Sequence, residues 1–378
     1  MRRAVLEMTE KGSSKMRKWL AALLVAAAAL ALAACGSSNS GTSNGGGSST
    51  SGSGGGKTYK LVLSNNYMGN EWRPQMENVA KFVANSARYK GKVDLEIQNA
   101  DSTPTAQIAS LQSIIRQKPD AILLDPASAT ALDPTVQQAC SAGIKVISFD
   151  QAVDAPCATR VHLNYQNTAH DMVEFLAASM HGRGDILMDT GLAGLPLSAA
   201  WVAEWNSVLK NEYPNIHVVG TYMSQYAPGP ELQAVSSLLS QHPRIDGILS
   251  GAYCTSDIKA LQSAGRPAVP MTCLDVNGNE QACAKARLQC LFVGAPAWAS
   301  GVAIETAVKV LDGQSVPRDV LTFDTNFVNN PQNVSFNHVM KFQPLTPGVN
   351  YYPSDSPSLI TPITFGDYNM TPADVLGQ

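Results

Sequence analysis

The sequence predicts an α/β protein built as two Rossmann-like lobes with parallel sheets, and three observations predict it. Short buried apolar runs alternate with amphipathic helical segments along most of the chain, and short connections between such units force parallel strands covered by helices on both faces. A block also recurs: PDAILLDP followed by SAGIKVISFD is echoed by IDGILSGA followed by SAGRPAVPMTCLD. Asp120 to Asp150 spans 30 positions and Asp246 to Asp275 spans 29, each block reading as a strand, a helix ending in Ser-Ala-Gly, and a strand ending in aspartate. Finally, 378 residues exceed what one hydrophobic core usually serves.

Two N-terminal segments stand outside the lobes. Trp19 to Ala34 is an uninterrupted apolar run after Arg17 and Lys18, shorter than the roughly 20 residues of a membrane span, so residues 1–35 read as an export signal. Its end, Leu32-Ala33-Ala34-Cys35, resembles the lipobox of bacterial lipoproteins, which implies lipidation at Cys35. The basic stretch before Met16 is long enough that Met16, as well as Met1, is a possible start. Residues 36–57 are almost wholly Gly, Ser, Thr and Asn, a composition that cannot bury enough apolar surface to fold. They form a tether with a root-mean-square span of about 25 Å. Its glycines follow no strand and precede no helix, so they are not a phosphate loop.

The chain carries 27 basic and 30 acidic residues, a net charge of −3. Without the six basic and two acidic residues of the leader this becomes −7, which gives no electrostatic reason to bind nucleic acid or an anionic membrane face. Besides Cys35 there are six cysteines, Cys140, Cys157, Cys254, Cys273, Cys283 and Cys290. An even count outside the cytoplasm points to disulfides, and pairing of neighbours in sequence is favoured: Cys140 and Cys157 flank one strand, Cys254 and Cys273 follow successive strands, and Cys283 and Cys290 bracket a turn. No CxxC or paired His-Cys spacing supports a metal.

Taken in order, Leu61 to Leu63 are a buried strand, followed by the loop SNNYMGNEW and a helix with Pro74 in its first turn, where the missing N–H costs nothing. Ligands of open α/β sheets bind beyond the carboxyl ends of the strands, which is where Asn70, Trp72 and Arg73 fall. The plain alternative makes Trp72 core and Arg73 a solvated helix residue. Val93–Gln98 is a strand, Thr103-Pro104 starts a helix, Ala121–Leu124 is a strand, and Asp133-Pro134 opens a helix that stops at Gly143. Ile144–Phe149 delivers Asp150 at its tip. His162–Tyr165 reads as a crossing into a second alternation: helix 168–180, strand 185–189, helix 198–213, strand 216–221, helix 231–241, strand 245–250, helix 256–264, strand 269–274, a short helix and strand 291–293. Helix 297–311 and one strand, Val320–Val328, are expected to return to the first lobe. The Pro-rich residues 331–378, with helical character only at Thr371–Leu376, have no role legible beyond wrapping the surface.

The carboxylates Asp150 and Asp275, one per lobe, suit either an acid–base pair or two acceptors for ligand hydroxyls. Nothing else catalytic assembles around them: there is no GxSxG, no HExxH and no spaced histidine pair. Trp72, Trp201, Trp205 and Trp298 fall near helix starts on the side where strands end, and a flat ring covers the C–H face of a sugar. Trp201 and Trp205 share a helix face, so one is expected in the core, and Trp201 is preferred for the site.

From about Tyr59 to Val328 the chain resembles the type I periplasmic sugar-binding proteins, the ribose- and galactose-binding group that delivers solutes to ABC importers. The resemblance rests on the first strand with GNEWRPQM, on PDAILLDP, on SAGIKVISFD and on the late IETAVKVLDG helix. It implies two lobes joined by a three-crossing hinge, residues 58–162 plus 295–330 forming the first and 163–294 the second, with a sugar or polyol held between them and no reaction catalysed. It carries ligand roles to Asn70, Trp72, Arg73, Asp150 and Asp275, with Gln151, Trp201 and Trp298 completing the expected wall. Where ribose binders have arginine after that aspartate this chain has Gln151. Their arginine on the helix after the second lobe's first strand appears as Trp201, their late glutamine aligns with Gly294, and an Asn-Asp pair after Ser250 has no match. These losses point away from ribose to a larger, less polar or differently substituted ligand. The implied protein is a monomer without cofactor or metal, lipid-anchored to the outer face of the cell membrane and partnered by a permease. A sensor presenting ligand to a membrane receptor and a glycosidase are the rival readings. A transcription regulator of the same architecture is disfavoured by the export signal.

Overall fold

The structure is a computed structural model that describes residues 57–329 and 335–378. The leader, Cys35 and the tether through Gly56 lie outside the described residues. The first alternation runs β1 (Tyr59–Asn65), α1 (Trp72–Ala84), β2 (Val93–Asn99), α2 (Pro104–Gln117), β3 (Ala121–Leu124), α3 (Asp133–Ser141), β4 (Lys145–Asp150) and β5 (Thr159–His162). The second runs α4 (Tyr165–Ser179), β6 (Gly184–Asp189), α5 (Pro196–Asn211), β7 (Ile216–Tyr222), α6 (Pro228–Gln241), β8 (Gly247–Leu249), α7 (Cys254–Ser263), β9 (Met271–Leu274), α8 (Asn277–Ala286) and β10 (Cys290–Val293). The chain ends with α9 (Ala299–Leu311), β11 (Asp319–Leu321), β12 (Thr325–Val328), β13 (Lys341–Pro344) and α10 (Pro372–Leu376).

These strands form two sheets, ordered β2-β1-β3-β4-β5-β11 and β7-β6-β8-β9-β10-β12-β13. The first is parallel throughout, and in the second only the β10–β12 pairing is antiparallel. The recurring sequence block is thus a recurring topology. In each lobe the first strand lies between the second and the third, which places a switch point beside β1 and β3 in one lobe and beside β6 and β8 in the other. Leu61, Val62, Leu63, Leu123 and Phe149 are wholly enclosed, as expected of strands covered on both faces.

The chain passes between the sheets at residues 163–164, 294–298 and 322–324. The third passage corrects the expectation of a single strand over Val320–Val328. β11 closes the open edge of β5 in the first sheet, and after a turn β12 closes the open edge of β10 in the second. Two other boundaries move to prolines: α5 and α6 start at Pro196 and Pro228, not at Ser198 and Glu231, because proline's fixed φ suits the first helical turn. Cys140–Cys157, Cys254–Cys273 and Cys283–Cys290 are disulfide-bonded, each pair being neighbours in sequence.

The C-terminal segment does more than wrap the surface. After β13 joins the second sheet, Leu359, Ile360, Ile363, Met370 and Val375 are buried, and α10 packs on α1 in the first lobe.

Candidate ligand-binding site

The loop after β1 is folded by its own polar side chains. Asn65 Nδ2 donates to the Tyr67 carbonyl at 2.7 Å and to Asn99 Oδ1 at 2.7 Å, and Asn70 Oδ1 accepts from the Arg73 backbone N–H at 3.3 Å. Trp72 and Arg73 are thereby fixed in the first turn of α1, both buried. Trp72 Nε1 donates to the Ala295 carbonyl at 2.6 Å, so the indole is anchored to the second interlobe passage. The Arg73 guanidinium lies 4.8 Å from the centre of the Tyr67 ring and 4.9 Å from that of Trp72. Its Nη1 donates to Asn65 Oδ1 at 3.1 Å and pairs with the buried carboxylate of Asp125 at the tip of β3, while Nε has no protein partner.

Asp150 ends β4 with a φ of 58°, a left-handed backbone that aspartate tolerates better than most residues. The Tyr165 hydroxyl donates to its carbonyl at 2.7 Å and Gln151 Nε2 to its Oδ2 at 2.9 Å. Burial pushes the Asp150 carboxyl up, opposed by the Arg73 charge and the Gln151 hydrogen bond. Gln151 Oε1 accepts from the backbone N–H of Leu197 at 2.9 Å, one of the donors that the first turn of α5 leaves without an intrahelical acceptor. Both ends of this amide are therefore engaged, one in each lobe.

The opposite wall comes from the loops after β6 and β7. Trp201, 1% exposed, projects from α5 with Nε1 unpartnered and its ring 5.8 Å from that of Trp205. It fits because residue 251, after β8, is glycine; a Cβ there would overlap the indole. Tyr226 and Ser198 share a hydrogen bond of 2.9 Å. Buried carboxylates hold these loops from behind. Asp189 accepts from the backbone N–H groups of Gly191 (2.8 Å) and Ser224 (2.9 Å), and Glu231 accepts from Tyr253 N–H (2.7 Å) and the Ser250 hydroxyl (2.9 Å).

Between the walls lies an inner chamber of about 40 Å³, lined by Asn70, Trp72, Arg73, Asp150, Gln151, Trp201 and the apolar or aromatic Leu195, Leu197, Tyr226, Leu274 and Ala295. An outer chamber of about 490 Å³ shares Leu195 with it and opens along Asn66, Tyr67, Ser128 and Gln225. Six of the eight residues expected from sequence thus come together. Asp275 and Trp298 line neither chamber. Asp275 is turned into the hinge, where its Oδ1 accepts from Ala295 N–H at 3.1 Å, and Trp298 stacks against Phe365 of the C-terminal segment at 5.0 Å. The expected facing pair of aspartates is therefore not assembled. Of the lining residues that sequence reasoning missed, Leu274 ends β9, Leu195, Tyr226 and Ala295 lie in the connections that follow β6, β7 and β10, and Leu197 stands in the first turn of α5, so position in the topology was their only signal. The late position Gly294 offers no side chain, and the Phe323 ring occupies the space one would need. Cys254, Cys273, Cys283 and Cys290 cluster within 4.8 Å, but as two disulfides they lack the thiolates a metal would take.

Two α/β lobes with a chamber at their facing strand tips define a periplasmic binding protein. Residues 61–315 match the family model of the periplasmic binding protein domain, and the chain belongs to that family. Among its relatives, the xylitol-binding protein of Mycolicibacterium smegmatis is 25% identical over 187 residues, a match covering 48% of this chain and 53% of that protein. The chain thus spans about half the length of that relative. The ribose import binding protein RbsB of Bacillus subtilis is 21% identical over 269 residues, covering 70% of this chain and 85% of that protein. A solved ABC transporter solute binding protein from Thermobispora bispora superposes with a TM-score of 0.66 at 27% identity, covering 70% of this chain and 83% of the other.

Proposed function

We propose that this protein captures a small sugar or polyol between its lobes and delivers it to an ABC transporter as an extracytoplasmic lipoprotein tethered through Cys35. The observation that carries the reading is a chamber with indole walls from both lobes, whose charged groups are Arg73 and Asp150. Apolar faces with a few fixed polar groups suit a ring or chain bearing hydroxyls on its rim. The inner chamber accommodates about three waters, at roughly 10–15 Å³ each, so a sugar reaches into the outer chamber or parts the walls on entry. The glycosidase alternative needs a second carboxylate at the chamber, and Asp275 does not line it. The predominantly apolar lining also favours a ligand with fewer hydroxyls than a hexose, and the similarity to a xylitol-binding protein supports a polyol.

The test is a thermal-shift series with xylitol, glycerol, D-ribose, L-rhamnose and D-allose, repeated on Asp150→Asn, which removes the charge but keeps a residue tolerant of left-handed backbone. A ligand that raises the melting temperature of the native protein and not of the variant supports the reading. A shift that survives the substitution contradicts the site.

A further inference from the structure

The C-terminal segment lies beyond the matched family region, which ends at residue 315, and it enters the ligand site's supporting structure from behind. Gln75, 3% exposed, stands one turn after Trp72 on α1. Its amide is bonded at both ends to this segment: Nε2 donates to the Ser358 carbonyl at 2.6 Å, and Oε1 accepts from Ile360 N–H at 2.8 Å. The same short stretch is pinned to the other lobe. Thr361 N–H donates to the Asp275 carbonyl at 3.0 Å, and Asn277 N–H donates to the Leu359 carbonyl at 2.9 Å. Asn277 also exchanges side-chain bonds with Tyr352, donating to its carbonyl at 2.7 Å and accepting from its N–H at 3.0 Å. Further along, Phe365 covers Trp298, and the Tyr368 hydroxyl donates to Glu305 of α9 at 3.1 Å.

Resting on the ligand reading above, we infer that Gln75 is a positioning residue for the site. Through residues 358–361 it ties the helix carrying Trp72 and Arg73 to the second-lobe strand tip that carries Leu274. The strap is a fourth passage between the lobes, beyond the three of the hinge, and it limits how far the two walls separate. A lobe can swing open only if the Gln75 contacts with Ser358 and Ile360, or the Thr361 and Asn277 contacts on the other side, lengthen. Closing the cleft restores them, so they favour the closed state whether or not a ligand is present.

The experiment measures interlobe separation directly, in the full chain without ligand. Spin labels are placed by unnatural amino acids at exposed Arg116 on α2 and Lys210 on α5, and distance distributions are recorded for the native protein, Gln75→Met, Gln75→Glu and Asn78→Ala. Methionine keeps the volume and removes both strap bonds together with the donation to the Glu71 carbonyl at 3.1 Å, glutamate keeps the acceptor for Ile360 but no donor for Ser358, and Asn78 holds the strap at the Val375 carbonyl, 3.0 Å away on the far part of the segment. The expected result is a shift to longer separations in Gln75→Met, at least as large a one in Gln75→Glu, whose second carboxylate oxygen meets the Ser358 carbonyl where the amide donated, and none in Asn78→Ala. Xylitol affinity should fall about tenfold in Gln75→Met, the equivalent of one to two neutral hydrogen bonds. A Gln75→Met protein with a lowered melting temperature but an unchanged distance distribution has lost only packing, and that overturns the inference. If the native protein fails to bind xylitol, the distance measurement still decides the strap's role, and the ligand reading falls or stands on the wider sugar series.

Discussion

Glu280 sits in the first turn of α8, wholly enclosed beneath the C-terminal segment. Thr361 Oγ1 lies 2.7 Å from Glu280 Oε1 and 3.1 Å from the Asp275 carbonyl, and one hydroxyl proton serves only one of them. Burial pushes the Glu280 carboxyl up to about 8, so at neutral pH it carries a proton of its own. The carboxyl donates to Thr361, and Thr361 donates to Asp275. The cost appears in the linkage between folding and pH. Below the ordinary value of 4.5 both folded and unfolded states are protonated and nothing is lost. Between 4.5 and about 8 the unfolded chain releases a proton that the native state keeps, so stability falls with rising pH. Above that both are ionised and the loss is constant.

Replacing Glu280 with glutamine retains an acceptor and a donor without charge and removes this dependence. At roughly 1.4 kcal/mol per pH unit the gain at pH 7 is about 3 kcal/mol, shrinking to nothing near pH 4.5. For a chain of this size that corresponds to a melting temperature raised by about 4–5 °C. Calorimetry of Glu280→Gln and the native protein across pH 4 to 8 measures it. A gain that does not grow with pH, or a loss at pH 7, would refute the assignment of a protonated Glu280 under the strap.

Two further substitutions probe the site's supports. Arg73→Met leaves Asp125 as a buried, unpaired carboxylate and should cost about 3–5 kcal/mol in denaturant unfolding, most of which Asp125→Asn should restore; additive losses in the double variant would break the pairing. Gly251→Ala forces its methyl group against Trp201, a crowding cost of about 1–3 kcal/mol, and should also change tryptophan fluorescence and ligand-induced stabilisation together; unchanged emission would mean that the indole packs elsewhere.

Legibility followed physical regularity. The strands and helices of both lobes announce themselves through buried runs and 3.6-residue periodicity, and a repeated block foretold a repeated topology. Asp150 and Asp275 occupy matching strand tips in that block, so sequence could not rank them. The difference is set by what lies opposite: Arg73 faces Asp150, whereas Ala295 and Thr361 claim Asp275. Trp298 misled for the same reason, since the ring that covers it, Phe365, belongs to a segment without periodicity. The strap holds through backbone groups and the amides of Gln75 and Asn277. Backbone donors and acceptors are the same at every residue, so no residue pattern marks such contacts.

On the proposed reading, two opposing sets of interactions govern closure. Gln151 to Leu197 and the Gln75 strap favour bringing the lobes together with the cleft empty, each such bond contributing about 1 kcal/mol net. Against them stand Arg73 Nε and Trp201 Nε1, buried without a protein acceptor on opposite walls. Each orphaned donor costs about 1–3 kcal/mol when sealed from solvent and nothing when the cleft is open. A ligand with oxygens facing both walls removes that penalty only in the closed state, and differential affinity of this kind is what shifts an open–closed equilibrium. The unpaired donors therefore make closure depend on the ligand. A chamber whose donors were all satisfied internally would close as readily on nothing, and a transporter could not tell loaded from empty.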